Sequence, residues 1–112
     1  MQSGFSSRRF IFEGFLPRKG KERQAILNAW ENEGRTIIFY EAPHRLEKTL
    51  EELKTLFPNR PLSVSRELTK KFEETIRGTC QSVYEHFSTH SIKGEFVLVL
   101  GKEEKENQED SF

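Results

Sequence analysis

The run Arg35 to Arg45 (RTIIFYEAPHR) constrains the chain most. An apolar strand stops there at a charged turn, and Pro43 sits where a helix begins. Proline suits the first helical position because its missing N–H is one that the helix leaves without a partner anyway. In α/β proteins such a junction is where ligands bind, since strand ends and helix N-termini leave backbone groups free to meet them. A second junction of the same kind, Val64 to Lys70 (VSRELTK), follows about one βα unit later. Two ligand-facing edges in 112 residues suggest half of a binding cleft.

The rest of the chain fits that frame. Arg9 to Phe15 alternates loosely and is rich in Phe and Ile, which argues for a strand. Leu16 to Gly20 is a basic loop. Lys21 to Glu33 reads as a helix with Ile26, Leu27 and Trp30 on one face, and Gly34 stands where a C-terminal glycine cap belongs. Thr36 to Tyr40 is a central strand. Leu46, Leu50, Leu53 and Phe57 recur with helical spacing and are closed by Pro58 and Pro61. Pro61 to Arg66 is a third strand. Glu73 to Arg77 is a fourth and shorter one, ended by Gly78. Thr79 caps a helix to about Phe87, and Lys93 to Gly101 is a last, buried strand. The order β-α-β-α-β-β-α-β predicts a single α/β domain, a mixed five-stranded sheet with three main helices and right-handed crossovers.

Composition limits the function. Net charge is zero, yet Lys102 to Phe112 carries two Lys against four Glu and one Asp, a net −3. That segment is too polar to bury much surface and reads as an acidic disordered tail, with the domain ending at about Gly101. Arg8 to Arg23 holds six basic groups against Glu13 and Glu22, a local +4 that permits an anionic partner. Cys80 is the one cysteine, so no intrachain disulfide or Cys-rich zinc site is expected. No apolar run is long enough to span a membrane. A cytoplasmic chain without a membrane partner is the expectation.

Several motifs carry chemistry on one reading and none on another. The backbone of Glu41 and Ala42 could meet a ligand, with His44 and Arg45 on the first helical turn. The plainer alternative is an ordinary strand-to-helix turn. Arg66 to Lys71 offers cations and the Thr69 hydroxyl to an anion, or is a polar loop with salt bridges. Arg18-Lys19-Gly20-Lys21 has the makings of a phosphate-contacting loop but lacks P-loop spacing. Gly78-Thr79 is better read as a helix cap than as an anion site. His86 and His90 have zinc-compatible spacing but no accompanying ligands, so no metal is expected. Cys80 reads as a small core residue. The aromatic residues read as strand core, not as an exposed stacking platform.

Five blocks in order carry a resemblance: Phe10 to Arg18 (FIFEGFLPR), Thr36 to Arg45 (TIIFYEAPHR), Ser65 to Lys70 (SRELTK), Phe72 to Thr79 (FEETIRGT) and Lys93 to Val99 (KGEFVLV). Together they resemble the C-terminal domain of the bacterial 16S rRNA (cytidine-2′-O)-methyltransferases, of the tetrapyrrole (corrin/porphyrin) methylase superfamily. The resemblance implies a two-domain enzyme with S-adenosylmethionine in the cleft between the domains. It implies that the N-terminal domain lies outside this chain, and that this domain alone is inactive. It places the cofactor against Tyr40, Glu41 and Ala42 at the end of the second strand, Leu68 and Thr69 after the third, and Gly94 and Glu95 at the entry of the last. Porphyrin methylases tend to have Met-Gly where this chain has Glu41-Ala42, which favours the rRNA branch. The resemblance further implies 16S rRNA in the small ribosomal subunit as substrate. Arg18, Lys19, Lys21, Arg23, Arg45, Lys70 and Lys71 are then candidates to dock its phosphates. His44 and Glu41 are candidates for a general base by location alone, so the catalytic residues are unassigned. Other superfamily members dimerise, which makes a homodimer the expectation. Two rivals remain open: a porphyrin or corrin C-methyltransferase, and an RNA-binding module without activity.

Overall fold

A computed structural model describes residues 10–18, 20–67, 73–90 and 92–102. Five strands and three helices follow one another along it: β1 (Phe10–Phe15), α1 (Gly20–Trp30), β2 (Thr36–Glu41), α2 (Pro43–Leu56), β3 (Pro61–Glu67), β4 (Glu73–Thr79), α3 (Cys80–Ser88) and β5 (Glu95–Leu100). The sheet order is β1-β2-β5-β3-β4. β1 and β2 are parallel, whereas β5 runs antiparallel to both β2 and β3, and β4 antiparallel to β3. This is the mixed α/β sheet that the sequence predicts. Of the tail expected over residues 102–112, all but Lys102 lie outside the described residues.

Strand registers show why one side of the sheet is buried. Ile37 stands opposite Leu100, Phe39 opposite Leu98, and Glu41 opposite Phe96. Val64 and Leu62 extend the same layer through β3. All of these apolar side chains are buried. The helices cover that face. Trp30 of α1 packs on Phe39 with ring centroids 5.1 Å apart, and Phe87 of α3 meets Phe96 edge-on at 5.9 Å. Leu46, Leu50 and Leu53 of α2 are fully buried in the same cluster. Lys54 of α2 lies over the Tyr84 ring of α3 at 4.5 Å, a cation–π contact between the two helices.

The opposite face carries Phe12, Ile38, Tyr40, Val97 and Val99, and among the described residues no helix lies on it. Here the structure corrects the expectation that the aromatics are strand core. Phe39 and Phe96 are, but Phe12, Phe15 and Tyr40 are 56%, 67% and 36% exposed. A bulge is the cause for β1. Phe12 pairs with Ile38, and Gly14 with Phe39, so Glu13 is an extra residue. Gly14 takes φ +70, a conformation open to glycine at little cost. The inserted residue puts Phe12 and Phe15 on the same open face. Both rings lie 5.3 Å from Tyr40.

Other boundaries shift for identifiable reasons. α1 ends at Trp30, short of Glu33, and Gly34 is not a left-handed cap. The chain tightens there instead, with Glu31 N–H donating to Asn28 O and Glu33 N–H to Trp30 O, both 3.2 Å. Buried Arg60 also donates to Trp30 O at 2.7 Å, a cation placed at the negative end of the helix. β4 runs through Gly78 to Thr79, so it is as long as β3 and not a short strand. Thr79 caps α3 as predicted, within a full capping box. Its hydroxyl accepts from Ser82 N–H at 3.1 Å, while Ser82 Oγ accepts from Thr79 N–H at 3.0 Å. A Cβ on Gly78 would lie 2.3 Å from Ser82 Oγ, so a glycine precedes the cap because the hydroxyl occupies that space. Cys80 is buried as expected, and burial pushes its thiol up to about 12, which keeps it protonated and unreactive at neutral pH.

Candidate functional site

Because β5 is antiparallel to its neighbours, one rim of the sheet gathers the C-terminal ends of β1, β2 and β3 with the start of β5. A cleft of about 590 Å³ opens there. Small-molecule sites commonly hold about 300–1,000 Å³. Tyr40, Glu41, Ala42 and Pro43 form one wall, Glu95, Phe96 and Val97 another, and Phe15 and Ser65 complete the lining. Four of the predicted cofactor residues, Tyr40, Glu41, Ala42 and Glu95, therefore meet in one cavity. Gly94 directly precedes β5 with φ +97, which lets the chain turn into the strand beside Glu95. Leu68 and Thr69 lie outside the described residues. Phe15, Pro43, Ser65, Phe96 and Val97 were not candidates from sequence. Phe15 and Pro43 sit at local element ends, whereas Ser65, Phe96 and Val97 join the rim only because β5 inserts between β2 and β3.

Glu41 is 4% exposed, and its carboxylate turns toward the helices. Oε2 accepts from the Thr49 hydroxyl at 2.5 Å, and Oε1 accepts from Ala42 N–H at 3.0 Å. These bonds commit the carboxylate to holding the turn. His44 is exposed on the first turn of α2 and is not among the residues lining the cleft.

The basic candidates divide. Arg18 and Lys21 are exposed near the start of α1. Arg45 is half-buried, and its Nη2 donates to Arg18 O at 2.5 Å, which ties the loop after β1 to α2. Arg23 faces inward instead and is 4% exposed. Its Nη1 donates to Pro17 O at 2.8 Å and its Nη2 to Thr49 Oγ1 at 3.0 Å, with a salt bridge to Glu52 at 2.5 Å. In this arrangement it does not face a phosphate on the surface. Its neighbours in sequence are polar, and the carboxylate that draws it inward lies on another helix. Lys19, Lys70 and Lys71 lie outside the described residues. Arg66 at the end of β3 pairs with Glu74 across the ladder.

Among the described residues no group of three or more His, Cys, Asp or Glu could hold a metal. His86 and His90 stack with centroids 4.0 Å apart, and His90 Nδ1 lies 2.6 Å from His86 O. Among those same residues no helix is long and apolar enough to cross a membrane.

The arrangement is an α/β unit with a cleft at a rim of strand ends. Residues 2–84 match the model of the Tetrapyrrole (Corrin/Porphyrin) Methylases, and the chain belongs to that family. It is 50% identical over 101 residues to a ribosomal RNA small subunit methyltransferase I from Synechocystis sp., a match covering 89% of this chain and 36% of the relative. It is 47% identical over 98 residues to the protein of that name from Bacillus subtilis, covering 88% and 34%. The Thermotoga maritima protein of that name is 42% identical over 102 residues, covering 90% and 46%. The chain thus spans between about a third and just under half of these relatives' lengths. Among solved structures, the fold is similar to uroporphyrin-III C-methyl transferase from Thermus thermophilus complexed with S-adenyl homocysteine. The TM-score is 0.57 at 16% identity, over 90% of this chain and 44% of that one. It is also similar to the methyltransferase CobJ, with TM-score 0.58 at 17% identity, covering 84% and 41%.

Proposed function

We propose that this chain is the C-terminal domain of an S-adenosylmethionine-dependent methyltransferase that acts on the ribose 2′-hydroxyl of a cytidine in 16S rRNA. The observation that carries this reading is the cleft that collects Tyr40, Glu41, Ala42 and Glu95 at one rim, in a chain whose relatives are named small-subunit rRNA methyltransferases. The cleft forms one wall of the cofactor site, and an N-terminal domain forms the other. The enzyme works in the cytoplasm, where its substrate is.

The chain's residues fit such a cofactor. The cleft has the volume of a small-molecule site, a carboxylate-bearing residue at its rim in Glu95, and aromatic surface from Phe15 and Tyr40. When bound, S-adenosylmethionine supplies an electrophilic methyl group for in-line transfer to oxygen. The Glu41–Ala42 turn and the entry of β5 hold the ligand against the sheet rim. Fixing two reactants in line removes orientational entropy from the reaction, a contribution of several kcal/mol. Arg18, Lys19, Lys21, Arg45, Lys70 and Lys71 dock phosphates, contacts that position an RNA without reading its sequence. The internal engagement of Glu41 leaves proton removal from the hydroxyl to another group.

The full-length protein, given labelled S-adenosylmethionine, is expected to methylate small ribosomal subunits at a cytidine 2′-oxygen, and this chain alone is expected not to. Mass spectrometry of the digested RNA locates the label. Transfer to a porphyrin in place of RNA would refute the reading.

One observation favours a second reading, an RNA-binding module without its own activity. Phe12, Tyr40 and Phe15 form an exposed cluster, Phe15 directly precedes the basic loop in sequence, and exposed aromatics with cations are how single-stranded RNA is often held. On that reading this chain alone binds RNA with a steep salt dependence, and the full-length protein transfers no methyl group.

A further inference from the structure

The functional reading leaves one buried polar network without a task. Arg23 on α1, Thr49 on α2 and Glu41 at the end of β2 are all nearly inaccessible to solvent. They form a directed chain. Arg23 Nη2 donates to Thr49 Oγ1 at 3.0 Å, and the Thr49 hydroxyl donates its own proton to Glu41 Oε2 at 2.5 Å. Glu41 Oε1 then receives the N–H of Ala42 at 3.0 Å. The chain ends on the peptide that lines the cleft.

Stability is a weak reason for this arrangement. Buried ions are costly to desolvate, and well-packed apolar side chains of the same volume commonly serve stability as well or better. What the network supplies is geometry. Ala42 is the N-cap of α2, yet it has no side chain able to cap. The Glu41 carboxylate instead holds the N–H of Ala42 itself, which fixes the peptide entering the helix, and Thr49 fixes the carboxylate. Arg23 keeps the Thr49 hydroxyl oriented as a donor to Glu41, because its cation occupies the oxygen's lone pair. Arg23 is also anchored at Pro17 O and Glu52, so the link to Glu41 runs through one hydroxyl.

We propose that Thr49, oriented by Arg23, is a positioning residue that sets the Glu41–Ala42 turn for S-adenosylmethionine binding. This rests on the functional reading above. It assigns a task to residues on the helix side of the sheet, out of reach of the ligand. Thr49→Val keeps the side-chain shape and removes the donor, leaving Arg23 its bonds to Pro17 and Glu52. Thr49→Ser keeps the donor.

The test uses the full-length protein. Thr49→Val loses the bond to Glu41 and the one from Arg23, and only the first acts on the turn. The variant's Kd and KM for S-adenosylmethionine should therefore rise about tenfold, near the lower end of what one hydrogen bond to a charged group is worth. Its kcat on small ribosomal subunits should stay within about twofold, because the reacting atoms are untouched. Thr49→Ser should restore near-original binding. Amide exchange in the peptide spanning residues 40–46 should quicken in the Val variant and not in the Ser variant. A merely structural role would lower the folded fraction and leave KM unchanged. If Thr49→Val binds S-adenosylmethionine as tightly as the unsubstituted protein, or if Ser fails as badly as Val, the inference is overturned. If the unsubstituted protein does not bind S-adenosylmethionine at all, the functional reading falls first and takes this role with it.

Discussion

Replacing Arg60 by alanine is expected to remove about 3 kcal/mol or more of folding stability, since two carbonyls lose a charged donor. Arg60 is only 4% exposed, at the end of the sheet away from the cleft. Nη1 donates to Trp30 O and Nε to Gly101 O, both at 2.7 Å, and the guanidinium lies 5.0 Å over the Phe57 ring. One side chain thus joins the end of α1, the end of β5 and the exit of α2. Its backbone joins a fourth element, with Arg60 O accepting from Cys80 N–H at 2.9 Å at the start of α3. A domain of this size commonly holds about 5–15 kcal/mol in total, so the loss would be a large share. Lysine keeps the charge but lacks the planar fork that reaches two carbonyls at once, so Arg60→Lys should recover less than half. Urea denaturation followed by the fluorescence of Trp30, the chain's single tryptophan, reads both variants. A loss below about 1 kcal/mol for Arg60→Ala would show that the two carbonyls find other donors.

Phe39→Ala should cost about 3–5 kcal/mol, the range for truncating a large core aromatic. Phe39 is wholly buried in β2, between Leu98 of β5 and the Trp30 ring. Removing it leaves a cavity beneath the strand that carries the cleft, and Trp30 loses its ring neighbour. Folded-state emission of Trp30 should change along with the midpoint. Phe12→Ala is the matched control. It removes the same atoms from the open face, where Phe12 is more than half exposed, and should cost under about 1 kcal/mol. Equal losses at the two positions would contradict a sheet covered by helices on one side only.

That one-sidedness marks the limit of what the sequence shows. Leu46, Leu50 and Leu53 declare a helix because their spacing is a property of the helix itself. Thr79 declares a cap because its partner, Ser82, is three residues away. The strand end at Glu41 and the helix start at Pro43 are local in the same sense, so half of the cleft was readable. What escaped depends on partners remote in sequence. Arg23 looks like one more cation in a basic run, and only the Glu52 carboxylate 29 positions later turns it inward. The end of α1 at Trp30 is met by Arg60, 30 positions on, which donates to the Trp30 carbonyl. Phe12 and Phe15 look like core because they are large and apolar. Their exposure follows from the bulge at Glu13 and from a face that no helix among the described residues covers. Phe96 and Val97 enter the cleft because β5 inserts antiparallel beside β2, a pairing that no local pattern encodes.

The central claim is that the rim where β2 ends and β5 begins is a cofactor wall. A crystal structure of the full-length protein with S-adenosylhomocysteine tests it most directly. The prediction is a ligand lying in the cleft, in contact with Ala42 and Glu95. A ligand bound wholly elsewhere, with the rim of this sheet untouched, would contradict it.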